Sequence, residues 1–198
     1  MKRIIAIFIL MFMIGSMFMG CNMIDTDNGD NNPGGNPGDS SDSGVNDPDP
    51  EPIYTVGTRV GNLFGDLTLE TLDGGSVNTA DYRGKILILN IWATRCPPCK
   101  EELPDFNRIA SEYEGEVVVI AAHEDYTRSA APSYVETNFP DSKIIFAYDT
   151  AYGDAYYAAG GDGNIPQTAI INKDGVIIYS DSGILSYEKL VSIIEAAK

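Results

Sequence analysis

The chain has 198 residues, with 13 Lys and Arg against 29 Asp and Glu, and a formal net charge of -16 at pH 7. Such an acid excess favours solubility and repels polyanions, and no basic patch interleaved with aromatic residues supports nucleic-acid binding. The three cysteines and one histidine are too few for a disulfide-dense or metal-rich scaffold.

In chain order, the sequence opens "MKRIIAIFILMFMIGSMFMGC", two basic residues followed by an almost unbroken apolar run from Ile4 to Met19, a small residue and Cys21. This is the layout of a secretory signal over residues 1–20. The run is slightly short for a spanning helix, which needs roughly 17–25 residues. The end of the run, "FMGC", resembles the box of bacterial lipoproteins, in which the cysteine carries the lipid. It departs from that box at Phe18, where Leu is common, and at Met19, where Ala or Ser is. The resemblance implies a lipidated Cys21 and an extracytoplasmic, membrane-anchored protein, periplasmic or at the cell surface; the competing reading is a signal cut elsewhere with an incidental Cys21.

Residues 21–52 are rich in Asp, Asn, Gly, Pro and Ser, with eight acidic residues and no basic one. A stretch of this kind cannot bury enough apolar surface to offset the entropy of ordering, and is expected to act as a mobile tether. A flexible segment of about 30 residues has an r.m.s. span of roughly 30 Å. Residues 53–198 then suit a single domain with its own core.

Within that domain, "DLTLETLDGGSVNTADY" alternates apolar and polar residues about Asp73-Gly74-Gly75, which predicts a hairpin. "KILILNIWA" is a buried strand. Pro97 to Tyr113 is helix-like, with Leu103, Phe106 and Ile109 on one face. "EVVVIAA" is a strand, "PSYVETNF" a short helix, "KIIFAYD" a strand and "AYGDAYYAA" another short helix. "QTAIINKDGVIIYS" reads as two strands about a turn, and "SYEKLVSIIEAAK" as an amphipathic helix. Strands alternating with helices and ending in a hairpin predict an α/β fold, a central mixed sheet with helices on both faces.

"IWATRCPPCKEELP" carries the chemistry. A cysteine at a helix N-terminus meets the positive end of the helix dipole and unpaired N–H groups, which favour thiolate over thiol. Cys96 is placed there and Cys99 one turn further in, so Cys96 is the expected attacking sulfur and Cys99 the one that resolves a mixed disulfide. Pro97 and Pro98 are tolerated because first-turn N–H groups have no intrahelical partner. Neither can donate to the Cys96 sulfur. Arg95 either adds a permanent positive charge beside the nucleophile or points away into solvent. Trp92 reads as an aromatic of the core or of the site wall. His123 is expected in a loop after its strand.

"ILILNIWATRCPPC" at a strand-to-helix junction, Pro104 five residues after Cys99, "GNIPQTAIINKDG" with Pro166 opening a strand, and the preceding hairpin together resemble the thioredoxin-like fold. Within it the chain is similar to the extracytoplasmic thiol-disulfide oxidoreductases of the TlpA/ResA type, over nearly all of residues 57–198. The resemblance implies a redox-active CxxC without cofactor or metal, and a cis Ile165–Pro166 bond opposite Cys96. Trp92, Arg95, Pro97, Pro98, Ile165 and Pro166 are expected on the substrate side, with Arg95 a departure from the family, which commonly carries an aromatic residue there. Asn90 stands where cytoplasmic thioredoxins usually carry a buried aspartate, so that proton route is missing, and the resemblance gives the role to Glu102, on the helix face of Cys99; Glu101 is an ordinary first-turn acid. The implied activity is the reduction of disulfides in exported proteins, such as apocytochrome c, with a membrane or periplasmic electron-transfer partner re-reducing the pair. The residues also permit an oxidising role.

Three alternatives differ in what they require. A copper- or zinc-binding module built on Cys96 and Cys99 would need further soft ligands, and the chain offers only His123. A thiol peroxidase of related fold would carry a Thr two or three residues ahead of its cysteine in a Pro-containing loop. A purely structural disulfide would resist reduction by ordinary thiols.

Overall fold

A computed structural model describes residues 54–124 and 128–198. The signal at 1–20, Cys21 and the tether up to residue 52 lie outside the described residues.

Strand β1 (Thr68–Glu70) pairs antiparallel with β2 (Ser76–Asn78), Leu69 facing Val77 in register. The turn between them is closed by Asp73, whose carboxylate accepts from the Thr71 hydroxyl and the Gly75 N–H. Gly74 sits at φ +87°, a region an L side chain rarely adopts. Asn78 ends the hairpin, its side chain accepting from the Ala80 N–H to start a single 3-10 turn over Thr79–Tyr82. The Leu72 N–H donates to the Phe146 carbonyl at 2.9 Å, which fastens the hairpin to an edge of the main sheet.

That sheet has five strands: β3 (Ile86–Trp92), β4 (Val117–His123), β5 (Ile145–Tyr148), β6 (Gln167–Ile171) and β7 (Ile177–Ser182), in the order β5-β4-β3-β6-β7. β3 is the centre, parallel to β4 and antiparallel to β6, and every one of its residues is buried. This explains its near-continuous apolar sequence. Its alternation splits the core in two. Ile86, Ile88 and Trp92 face one cluster with helices α1 (Pro97–Glu112), α2 (Ala130–Asn138) and α4 (Tyr187–Ala196). Leu87, Leu89 and Ile91 face the other, with Leu69 and Val77 of the hairpin and Ala155 of α3 (Asp154–Ala158). Helices therefore cover both faces of a mixed sheet, as the sequence pattern implies. The apolar periodicity of α1 has its counterpart in Leu103, Phe106 and Ile109, all buried against β3 and against Leu190 and Ile194 of α4.

One expectation is corrected. His123 is the last residue of β4, 2% exposed, and not a loop residue. The strand runs one residue past its apolar stretch because the His123 ring packs edge-on against Trp92, centroids 4.9 Å apart, and Nε2 accepts the Thr94 N–H at 3.2 Å.

Candidate active site

β3 ends at Trp92, and within four residues the chain turns into α1, with Cys96 as its N-cap. Pro97 and Pro98 fill the first two helical positions, so the first N–H able to reach the cap is that of Cys99, and it donates to Cys96 Sγ at 3.2 Å. The two cysteines form a disulfide, their Cα atoms 5.3 Å apart. The two cysteines differ in access: Cys96 is 7% exposed and Cys99 is 0%. Only Cys96 offers an incoming group a way in. The Ile165–Pro166 bond is cis, and the Ile165 carbonyl oxygen lies 3.8 Å from Cys96 Sγ. The Pro166 ring is buried, so it is the Ile165 backbone that borders the sulfur.

Glu102 is one turn beyond Cys99 on the same helix face and is 1% exposed. Its two oxygens have separate donors, Asn90 Nδ2 at 2.7 Å to Oε1 and the Leu185 N–H at 3.0 Å to Oε2. Burial pushes its carboxyl up to about 7; these two hydrogen bonds pull the other way, and the neighbouring Asp105 charge adds slightly to the rise. A carboxyl poised there can take up or release a proton near neutral pH. Asn90 lies on the α1-facing side of β3 between Ile88 and Trp92, and its Nδ2 also donates to Thr168 Oγ1 of β6 at 3.1 Å.

Not every residue grouped with the site reaches it. Trp92 is 0% exposed, flanked by His123, Tyr134 and Phe146. Of the two readings its sequence allows, core or site wall, the surroundings are those of a core aromatic, with three rings packed about it. Arg95 is exposed, and its guanidinium pairs with Glu124 at 2.8 Å. Its charge is therefore largely met by a carboxylate before it can act on Cys96. Pro97 and Pro98 are exposed at the helix tip. A cleft of about 540 Å³ opens beyond Arg95, lined by Arg128, Tyr152 and Tyr157 among others and by neither cysteine. Among the described residues no group of three or more His, Cys, Asp or Glu could hold a metal ion, and no helix is long and apolar enough to cross a membrane.

Sequence reasoning passed over Thr168 and the Leu185 N–H, and treated Asn90 as a lost proton route when it is a direct partner of Glu102. The available signal was weak: a polar Asn inside an otherwise apolar central strand, which needs a buried partner.

The family model described as Redoxin matches residues 59–197. Thiol-disulfide oxidoreductase ResA of Halalkalibacterium halodurans is 28% identical over 141 residues, which cover 71% of this chain and 78% of that protein. Thioredoxin-like protein YneN of Bacillus subtilis is 33% identical over 132 residues, 62% of this chain and 71% of that protein. A crystal structure of a DsbF homologue from Corynebacterium diphtheriae superposes with a TM-score of 0.62 at 22% identity, covering 75% of this chain and 96% of its own, a likeness of fold.

Proposed function

The chain belongs to the Redoxin family and is a thiol-disulfide oxidoreductase of thioredoxin-like fold, and from that premise we propose that it reduces disulfides of exported proteins through Cys96 and Cys99. The observation that carries the reading is the asymmetry of the pair, with Cys96 at the open helix end beside the Ile165 carbonyl and Cys99 sealed beneath it.

In the reduced protein the Cys96 thiolate is favoured by the helix end and by the Cys99 N–H. It attacks one sulfur of the target disulfide. A Cys96–target S–S bond forms, the target's own S–S bond breaks, and the expelled target thiolate takes a proton. Cys99 then loses its proton to the Glu102 carboxylate and attacks Cys96 Sγ, which expels the second target thiolate and leaves the Cys96–Cys99 disulfide. Two electrons have passed to the target. An external dithiol must return them, and the family resemblance points to a membrane or periplasmic partner for that step. The edge formed by Ile165 allows an extended segment of the target to lie as an added strand. The apolar run ending at Cys21 supports an extracytoplasmic, lipid-anchored placement, with the acidic stretch as tether; apocytochrome c is one target the resemblance suggests.

The test is a trap. Cys99→Ala is expected to accumulate dithiothreitol-sensitive covalent adducts with exported proteins, and Cys96→Ala to accumulate none. A Cys99→Ala protein that stays unlinked in an oxidising extract while Cys96 remains a free thiol would overturn the mechanism.

A further inference from the structure

Asn90 is held at one end only. Its Nδ2 spends both hydrogens, one on Glu102 Oε1 and one on Thr168 Oγ1, while Oδ1 is buried with no hydrogen-bond partner among the described residues. A buried amide oxygen left bare is costly, and its orientation needs a cause. The two ends of an amide are nearly equal in size, so a half-turn needs no extra room. Either orientation leaves the far end without a partner. The half-turn exchanges a bare oxygen for bare N–H groups at the far end, so it takes place only where the mismatch at the near end, where Glu102 and Thr168 sit, costs more than that exchange.

The partners at that end are not fixed in kind. Ionised Glu102 only accepts; protonated Glu102 carries an O–H that can donate. The Thr168 hydroxyl does either. With Glu102 ionised, both partners accept and the amide nitrogen belongs between them, as observed. With a proton on the lone pair that faces Asn90, two donors would oppose each other across 2.7 Å. A half-turn places Oδ1 there instead, accepting from Glu102 and from Thr168 together.

We propose that Asn90 and Thr168 are positioning residues for Glu102 that form an amide switch, in which the ionised carboxyl holds Asn90 by its nitrogen, the protonated carboxyl holds it by its oxygen, and the Thr168 hydroxyl changes from acceptor to donor in step. The carboxyl then keeps a matched partner in both protonation states and stays one turn from Cys99 while its proton comes and goes. The other groups facing it are accounted for. Asp105 on α1 and Tyr179 on β7 interact with its charge, the Leu185 N–H binds its second oxygen in the segment before α4, and Cys99 precedes it on α1. Of these only the Leu185 N–H is hydrogen-bonded to the carboxyl, and a backbone N–H donates in either protonation state.

The proposal rests on the reading of Glu102 as proton carrier but is tested on Glu102 itself, without thiol chemistry. In the oxidised full-length chain, the carboxyl carbon of Glu102 and the side-chain amide of Asn90 are followed by NMR as pH is varied. The Asn90 amide is expected to move with the midpoint of Glu102. Thr168→Val leaves one amide hydrogen without an acceptor in the ionised state, whereas in the protonated state Oδ1 still has Glu102. A bare buried N–H is worse than an oxygen with one donor fewer. The Glu102 midpoint should therefore rise by about half a pH unit or more in Thr168→Val, and hold its place in Thr168→Ser, which keeps the hydroxyl. An Asn90 amide that ignores the Glu102 titration overturns the switch, and this measurement needs no variant to fold. A midpoint unmoved in Thr168→Val overturns the role of Thr168. Failure of the proton-carrier reading looks different: Glu102 and Asn90 titrate together, yet Glu102→Gln leaves the pH profile of Cys96 alkylation unchanged.

Discussion

Glu102→Gln is expected to change how stability depends on pH, and the structure sets both sign and size. In the unfolded chain the carboxyl titrates near its ordinary 4.5; in the folded protein burial raises it to about 7. Between these values the folded state holds a proton that the unfolded state has already lost. The stability that this group contributes is therefore fully present below the unfolded value, falls as pH rises through the window, and is gone above about 7. The span corresponds to about 3 kcal/mol, a substantial part of the stability of a domain this size. Gln cannot ionise, and its amide, like the protonated carboxyl, offers one donor and one acceptor to the same two groups, the Asn90 side chain and the Leu185 N–H. The variant should therefore resemble the protonated parent at every pH. Urea unfolding of the oxidised parent and variant, at steps from about pH 4 to about pH 8, gives the difference between them at each step. Taking the difference cancels other groups, including Asp149, whose carboxyl is also raised by burial. The variant should gain on the parent by about 3 kcal/mol across the window. A difference constant within about 0.5 kcal/mol would show that Glu102 does not titrate near neutrality, and would remove the proton it is asked to carry.

Two further outcomes follow from the same reasoning. Arg95→Ala should move the pH at which Cys96 becomes reactive to iodoacetamide by less than about half a unit, because the guanidinium is already paired with Glu124 and both groups are partly solvated; a larger upward shift would mean that Arg95 acts on the thiolate directly. Cys21→Ser should release the protein from membranes while its disulfide exchange in vitro is unchanged, and a variant that fractionates with membranes as the parent does would refute lipidation at Cys21.

The parts of this molecule that could be read from sequence are those whose cause is local. The all-apolar run Ile86–Trp92, broken only by Asn90, reads as a central strand because no half-exposed strand keeps that composition. The Asp73-Gly74-Gly75 turn and the spacing of Leu103, Phe106 and Ile109 have equally short-range causes. The Cys-Pro-Pro-Cys run at a helix start belongs with them: its geometry lies in four consecutive residues. What escaped is set by contacts between distant segments. Asn90 meets Thr168 across 78 residues of sequence, through the antiparallel pairing of β3 with β6. Nothing near Asn90 shows that its partner is a hydroxyl able to donate or accept. Arg95 finds Glu124 across 29 residues, through the parallel pairing of β3 with β4; adjacency to Cys96 in sequence made it look like a modifier of the thiol, while the sheet gave it a carboxylate. His123 looked like the start of a loop because it is polar and follows an apolar run, but the ring of Trp92 supplies the packing that keeps it in the strand. In each case the sequence marks the group and the sheet register selects its partner. Because the register of β3 with β6 brings Asn90 opposite Thr168 and the alternation of β3 turns Asn90 toward α1, the proton chemistry assigned to Glu102 is a property of two strands and a helix meeting at one buried point.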